Sequence, residues 1–241
     1  MKNVIVLFLF IGTITSTSFF VEKPLYENKG IHDQWDYLLK KYVDEHGSVN
    51  YKKWSKNKVS LNNYIKLLEQ RPPAPYWDHN DSLAYFINAY NAITVKLILD
   101  NYPLESIRDL KKPWDNASLN LLSEKITLND IEHKILRKMK DPRIHFAINC
   151  ASESCPNLLN EAYLASKVQK QLEEVTYSFI NDFSKNSFSE NELILSRIFL
   201  WFSKDFGSKK ERVAFIQKYA NEKFNKNAKI KYSEYSWKLN E

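Results

Sequence analysis

Glycine is scarce in this chain, at 4 residues in 241, and no GxGxxG or GxxxxGK run occurs. That argues against the glycine-rich phosphate cradles of nucleotide-binding folds. Cysteine is scarcer still, at 2 residues. A pair closes one disulfide at most, and its spacing matches no CxxC-based zinc pattern. Long apolar runs are missing after the first twenty residues, apart from one stretch that reads as a buried helix. Nothing in the body of the chain reads as transmembrane. Cations exceed anions by only 35 to 29, for a net charge of +6. The lysines are scattered through KNKV, SKKER and FNKNAK rather than gathered in a stripe, which describes a solvated surface and not a nucleic-acid footprint.

What is present is a well-provisioned core. Hydrophobic residues make up 44% and aromatics 14%, enough for one full-sized domain with bulky anchors. The opening MKNVIVLFLFIGTITSTSFF has a positive Lys2, an apolar run from Val4 to Ile14 and small residues up to Ser18. This is the layout of a secretory signal cleaved after Ser18. The expected organisation is a signal peptide over 1–18, an extension over 19–31 and a single domain over 32–241. The mature protein is expected to be exported, periplasmic or secreted. Stable membrane insertion is expected only if the leader is retained.

Helical spacing recurs along the domain. Trp35, Leu38, Leu39 and Tyr42 set one helix over 32–46, stopped at Gly47, and 59–70 reads as another, closed by RPPAP. Residues 83–102 are apolar nearly all round, which predicts a buried central helix ended by Pro103. Asn88 and Asn91 lie one turn apart on it. Being buried, they either bond a neighbouring loop's backbone or line a site. Thr127 and Asp130 form a capping-box start for a helix over 126–139. Period-two alternation predicts a strand at 144–149, and Pro156 predicts the first turn of a helix over 156–181. A strand at 191–196, a helix over 209–223 and an edge strand or hairpin in the tail complete an α+β, helix-rich single domain with a small β-sheet.

The motifs AYFINAYNAI, TLNDIEHKILR, DPRIHFAINCASESCPNL, LSRIFLWFSKDFG and YSWKLN together resemble the domain of unknown function 547 family, over about Trp35 to Asn240. The resemblance implies an Asn-bearing helix paired with a His-and-Cys segment. This chain keeps Asn88, Tyr90, Asn91, Glu132, His133, His145, Cys150, Ser152, Ser154 and Cys155 for that pairing. It departs at Asn120 to Ser123, where a glycine is usual. The resemblance names no reaction.

The chemistry must therefore be read from HFAINCASESCP. A thiol becomes a nucleophile when an imidazolium or a helix N-terminus lowers its pKa. Cys155, just before Pro156, is expected at such an N-terminus. His145 is the candidate base for Cys155 or Cys150, and Asn88, Asn91 or Glu132 the group that holds the imidazole. Cys–His–Asn sites of this kind recur in papain-like and transglutaminase-like folds, whose nucleophile sits on the central helix; here that helix carries asparagines instead. Three other readings compete: a Cys150–Cys155 disulfide, a metal site completed by His145 and His133, and plain packing. His133 is read as a boundary residue near Arg137. Arg143 either binds a carboxylate or pairs with Asp141 or Glu153. Trp201 and Asp205 either form a lid or serve as core and cap.

The leading expectation is a thiol-dependent hydrolase or acyltransferase acting on amide bonds of peptides or cell-envelope material, with no cofactor. Its catalytic candidates are Cys155, Cys150, His145, Asn91 and Asn88, flanked by Glu132, His133, Arg143, Ser152 and Ser154. The alternative is a non-catalytic binding or scaffold domain braced by a Cys150–Cys155 disulfide.

Overall fold

The structure, a computed structural model, describes residues 30–241. The expected signal peptide and most of the extension after it lie outside the described residues.

Apolar side chains at helical spacing drive the N-terminal half together. The Asp33–Tyr42 helix buries Trp35, Leu38, Leu39 and Tyr42, and the Val59–Gln70 helix buries Leu61, Tyr64, Ile65 and Leu68. Trp35 stacks on Tyr64 at 5.6 Å between ring centroids, and Tyr42 on Trp54 at 4.7 Å. Gly47 is needed where the chain turns after the first helix. Its φ is +81°, and a Cβ there would stand 2.6 Å from the Asn157 Cβ, so only glycine fits the close approach.

The His79–Asn101 helix runs through the middle of the molecule. It begins in a reciprocal cap: Asp78 accepts the Asp81 N–H, and Asp81 accepts the Asp78 N–H. Every residue from Leu83 to Val95 is buried. The helix is long and apolar enough to cross a membrane, but 83% of its most apolar window is buried inside the fold. Burial all round accounts for its composition.

The sheets are small. Ser118–Leu121 pairs antiparallel with Glu124–Thr127. Their turn places Leu122 and Ser123 at φ 50° and 70°, so the glycine-free sequence still reaches the left-handed region that such hairpins use. Glu192–Leu195 pairs antiparallel with Ser187–Phe188 and parallel with Lys229–Tyr232. The tail then runs back along the 151–154 loop: Glu153 N–H donates to the Lys238 carbonyl, Ser154 N–H to Ser236 and Asn240 N–H to Ala151.

Three expected elements differ, each for a tertiary reason. Residues 144–149 form no strand. Pro142–Phe146 is a 3₁₀ turn capped by Asp141, whose carboxylate accepts the Arg143 N–H. Ile144, His145, Phe146, Ala147 and Ile148 are all buried, so the alternation that looked like a two-faced strand has no exposed face. The helix expected from Pro156 begins only at Val168. Residues 156–167 are held irregular by side chains that take their backbone groups: Asp36 accepts the Ala162 N–H, Asn88 that of Tyr163 and Gln171 that of Leu164. The 126–139 helix starts at the expected Thr127–Asp130 capping box, then widens into a π turn over Ile131–Ile135 and tightens over Leu136–Met139.

Candidate functional site

The cysteine loop hangs from the central helix by one amide. Asn91 donates to the Ala147 carbonyl at 3.0 Å and accepts the Asn149 N–H at 2.8 Å. Asn149 in turn donates to the Pro156 carbonyl at 2.7 Å and accepts the Ala151 N–H at 2.7 Å. These bonds, with Ala151 at φ 61°, fold the loop back until its two sulfurs touch. Cys150 Sγ and Cys155 Sγ are 2.8 Å apart, and the Cys150 N–H donates to Cys155 Sγ at 3.0 Å. Both cysteines are free thiols. Their separation exceeds the ~2.05 Å of a disulfide, so the expected bracing bond is not made in this structure.

The sulfurs are not equivalent. Cys155 is buried at 6% exposure, while Cys150 is partly exposed. Cys150 lies 3.1 Å from the Ser152 hydroxyl and 3.5 Å from the Tyr235 hydroxyl, which are themselves 2.9 Å apart. The hydrogen bond from Cys155, helped by those of Ser152 and Tyr235, outweighs burial and lowers the Cys150 thiol to about 7. Burial, together with the neighbouring Cys150 charge, pushes Cys155 well up. Cys155 caps no helix, and of the two candidate thiols it is Cys150 whose ionisation is favoured.

Both Cys150 and Cys155 border a cavity of about 360 Å³ whose walls include Trp114, Trp201, Phe202, Tyr235 and Trp237. Glu132 and His133, adjacent in the π turn, both line this cavity. Glu132 is buried, has the Tyr90 hydroxyl at 3.4 Å, and is raised to about 7 by burial and by the charge of Cys150. His133 Nδ1 meets the Arg137 guanidinium at 2.7 Å. That contact makes Nδ1 the acceptor and leaves the proton on Nε2. Among the described residues, the cavity lining contains no lysine or arginine.

His145 also borders the cavity, stacked on Phe202 at 4.0 Å. Its Nε2 meets Asp205 at 2.7 Å, and Asp205 takes the Arg137 guanidinium through both oxygens, at 2.6 and 2.8 Å. Burial lowers the imidazole to about 4; the neutral ring therefore donates Nε2–H, and Nδ1 is buried with no hydrogen-bond partner among the described residues. Among the described residues, no hydrogen bond joins His145 to either sulfur. The group that holds the imidazole is Asp205, not Asn88, Asn91 or Glu132.

The remaining candidates divide. Asn88 clamps the Tyr163 backbone, donating to its carbonyl at 2.7 Å and accepting its N–H at 3.0 Å. With Asn91 it follows the backbone-bonding reading of the buried amides. Ser152 belongs to the thiol cluster. Ser154 accepts the Ser236 N–H and Arg143 bonds Asp141, Gln169 and Glu173; neither lines the cavity. Trp114, and Tyr235 and Trp237 of the YSWKLN motif, join the site without having been singled out for it in the sequence. Among the described residues, no group of three or more His, Cys, Asp or Glu is placed to hold a metal ion.

Residues 75–180 match the family model described as "Protein of unknown function, DUF547". This segment belongs to that family. The DUF547 segment carries the central helix, Glu132, His133, His145 and both cysteines, whereas Trp201, Asp205, Tyr235 and Trp237 come from beyond it. No curated protein and no solved structure matches the chain.

Proposed function

We propose that the cavity is the active site of a thiol-dependent hydrolase or acyltransferase acting on amide bonds, with Cys150 as nucleophile. The observation that carries this reading is the thiol of a half-buried cysteine, lowered to about 7, at the wall of an aromatic cavity. Near neutral pH a large fraction of Cys150 is thiolate without help from a histidine. The thiolate attacks the amide carbonyl carbon. Its charge passes to the carbonyl oxygen, and the Ser152 and Tyr235 hydroxyls that held the sulfur can follow it there. The tetrahedral intermediate expels the amine, which takes a proton from Glu132. Glu132 then removes a proton from the water or acceptor amine that attacks the thioester, and Cys150 is released as thiolate.

With carboxylates and, among the described residues, no lysine or arginine on its wall, the cavity suits a neutral or cationic group with an apolar or planar face, such as a peptide side chain. Asn88 and Asn91 are positioning residues in this scheme. Export through the leader, giving access to peptide or cell-envelope material, belongs to the same proposal, and intact-mass analysis of exported protein for loss of residues 1–18 tests it.

The test of the chemistry uses p-nitrophenyl acetate as acyl donor, with mass spectrometry of the quenched protein. One acetyl group on Cys150 is expected, absent from Cys150→Ser, with its loss slowed in Glu132→Gln. Acetylation confined to surface lysines would overturn the reading. The densely bonded 147–156 loop favours the scaffold alternative, and in that outcome the scaffold would stand.

A further inference from the structure

The acyl-transfer scheme uses one sulfur and leaves the other without a task. Cys155 is a buried thiol held 2.8 Å from the nucleophile by the Asn149 brace and by its own acceptance of the Cys150 N–H. A cysteine placed only for packing would not need its sulfur turned onto a second thiol. A donor that merely steadied a thiolate would be served by a hydroxyl, and Ser152 and Tyr235 already supply two.

We propose that Cys150 and Cys155 form a working dithiol that exchanges with disulfide substrates, Cys150 attacking first and Cys155 resolving. This rests on Cys150 being the nucleophile. In the first step the Cys150 thiolate attacks one sulfur of a disulfide R–S–S–R. A Cys150–S–S–R bond forms, the original S–S bond breaks, and RS⁻ leaves. In the second, Cys155 gives up its proton and its sulfur attacks the Cys150 sulfur. The Cys150–Cys155 bond forms and the second RS⁻ departs, one of the two leaving groups taking the proton. Two electrons have passed from the cysteines to the substrate disulfide, which is the oxidant.

The asymmetry fits these roles. The Cys150 sulfur, on the less buried residue, ionises near neutrality and meets the substrate, while that of Cys155 stays protonated until the mixed disulfide removes the thiolate charge beside it. Closing the bond requires the sulfurs to approach by only about 0.8 Å, from 2.8 Å to the ~2.05 Å of a disulfide. The loop between them carries just Ala151, Ser152, Glu153 and Ser154.

The experiment uses oxidised glutathione without oxygen, quenching with acid and alkylating under denaturing conditions before mass analysis. Wild type is expected to lose two hydrogens, release two glutathiones and take no alkyl label. Cys155→Ser, with Cys155→Ala as a second variant in case the buried hydroxyl unsettles the fold, should instead accumulate one glutathione on Cys150. Wild type that stops at the mixed disulfide, with Cys155 still open to alkylation, would overturn the exchange proposal and leave the nucleophile intact. Failure of Cys150 to form any adduct would overturn both.

Discussion

Asn91 Oδ1 accepts the backbone N–H of Asn149 at 2.8 Å, so the central helix and the cysteine loop share one hydrogen-bonded hinge. The helix contributes neither sulfur, but it sets where the cysteine loop stands and lends the Tyr90 hydroxyl to Glu132.

Replacing either clamp should therefore cost stability, but only one should disturb the thiols. Asn88→Leu leaves the Tyr163 N–H and carbonyl unpaired, and Asn91→Leu does the same to Asn149 and Ala147. Each loss is expected to cost about 1–3 kcal/mol, read as a lower Tm in thermal unfolding. Iodoacetamide reactivity of Cys150 should change in Asn91→Leu and stay near wild type in Asn88→Leu. Equal reactivity in all three proteins would show that Asn91 does not place the loop.

The ionisations of Glu132 and Cys150 oppose each other, since each anion disfavours the other. Glu132→Gln removes that negative charge. The pH midpoint of Cys150 alkylation should then fall, by roughly one pH unit, while in His145→Ala it should stay within a few tenths, because His145 bonds Asp205 and not a sulfur. A midpoint that rises in Glu132→Gln, or moves further in His145→Ala, would refute this arrangement.

Stability should fall on acidification through a window set by two histidines. Burial lowers both His32 and His145 from 6.5 to about 4. Below 6.5 the unfolded chain binds protons that the folded chain refuses, so the unfolding free energy drops between pH 6.5 and about 4, by at most about 3 kcal/mol per histidine. Glu132, raised to about 7, acts with the opposite sign over about pH 4.5 to 7, because there the folded chain keeps a proton that the unfolded chain releases. Calorimetric Tm values at pH 7.5 and 5 should show a smaller acid loss in His32→Gln than in wild type and a larger one in Glu132→Gln. An unchanged loss in both would exclude these groups as the source.

How much of this could be read from the sequence depended on how local the decisive interactions were. The Trp35–Tyr42 face, the all-round apolar helix at 83–102 and the Thr127–Asp130 capping box were legible, because periodicity and capping act within a few residues. The buried amides were legible as backbone clamps in kind, though not in partner, since their mates lie 56 and 75 positions away.

What tertiary structure decided lies where backbone groups found side-chain partners instead of their own helix or strand. Alternation at 144–149 wrote a strand that burial on both faces dissolved. Pro156 promised a helix start that the Asn149, Asp36, Asn88 and Gln171 bonds replaced with an irregular path, and with it went the helix dipole expected to activate Cys155. The sequence by itself determined a helix-rich α+β domain and the cluster of residues able to do thiol chemistry. Only the fold separates two thiols in contact, lowering the Cys150 pKa and raising that of Cys155 through hydrogen bonding and burial rather than spacing along the chain.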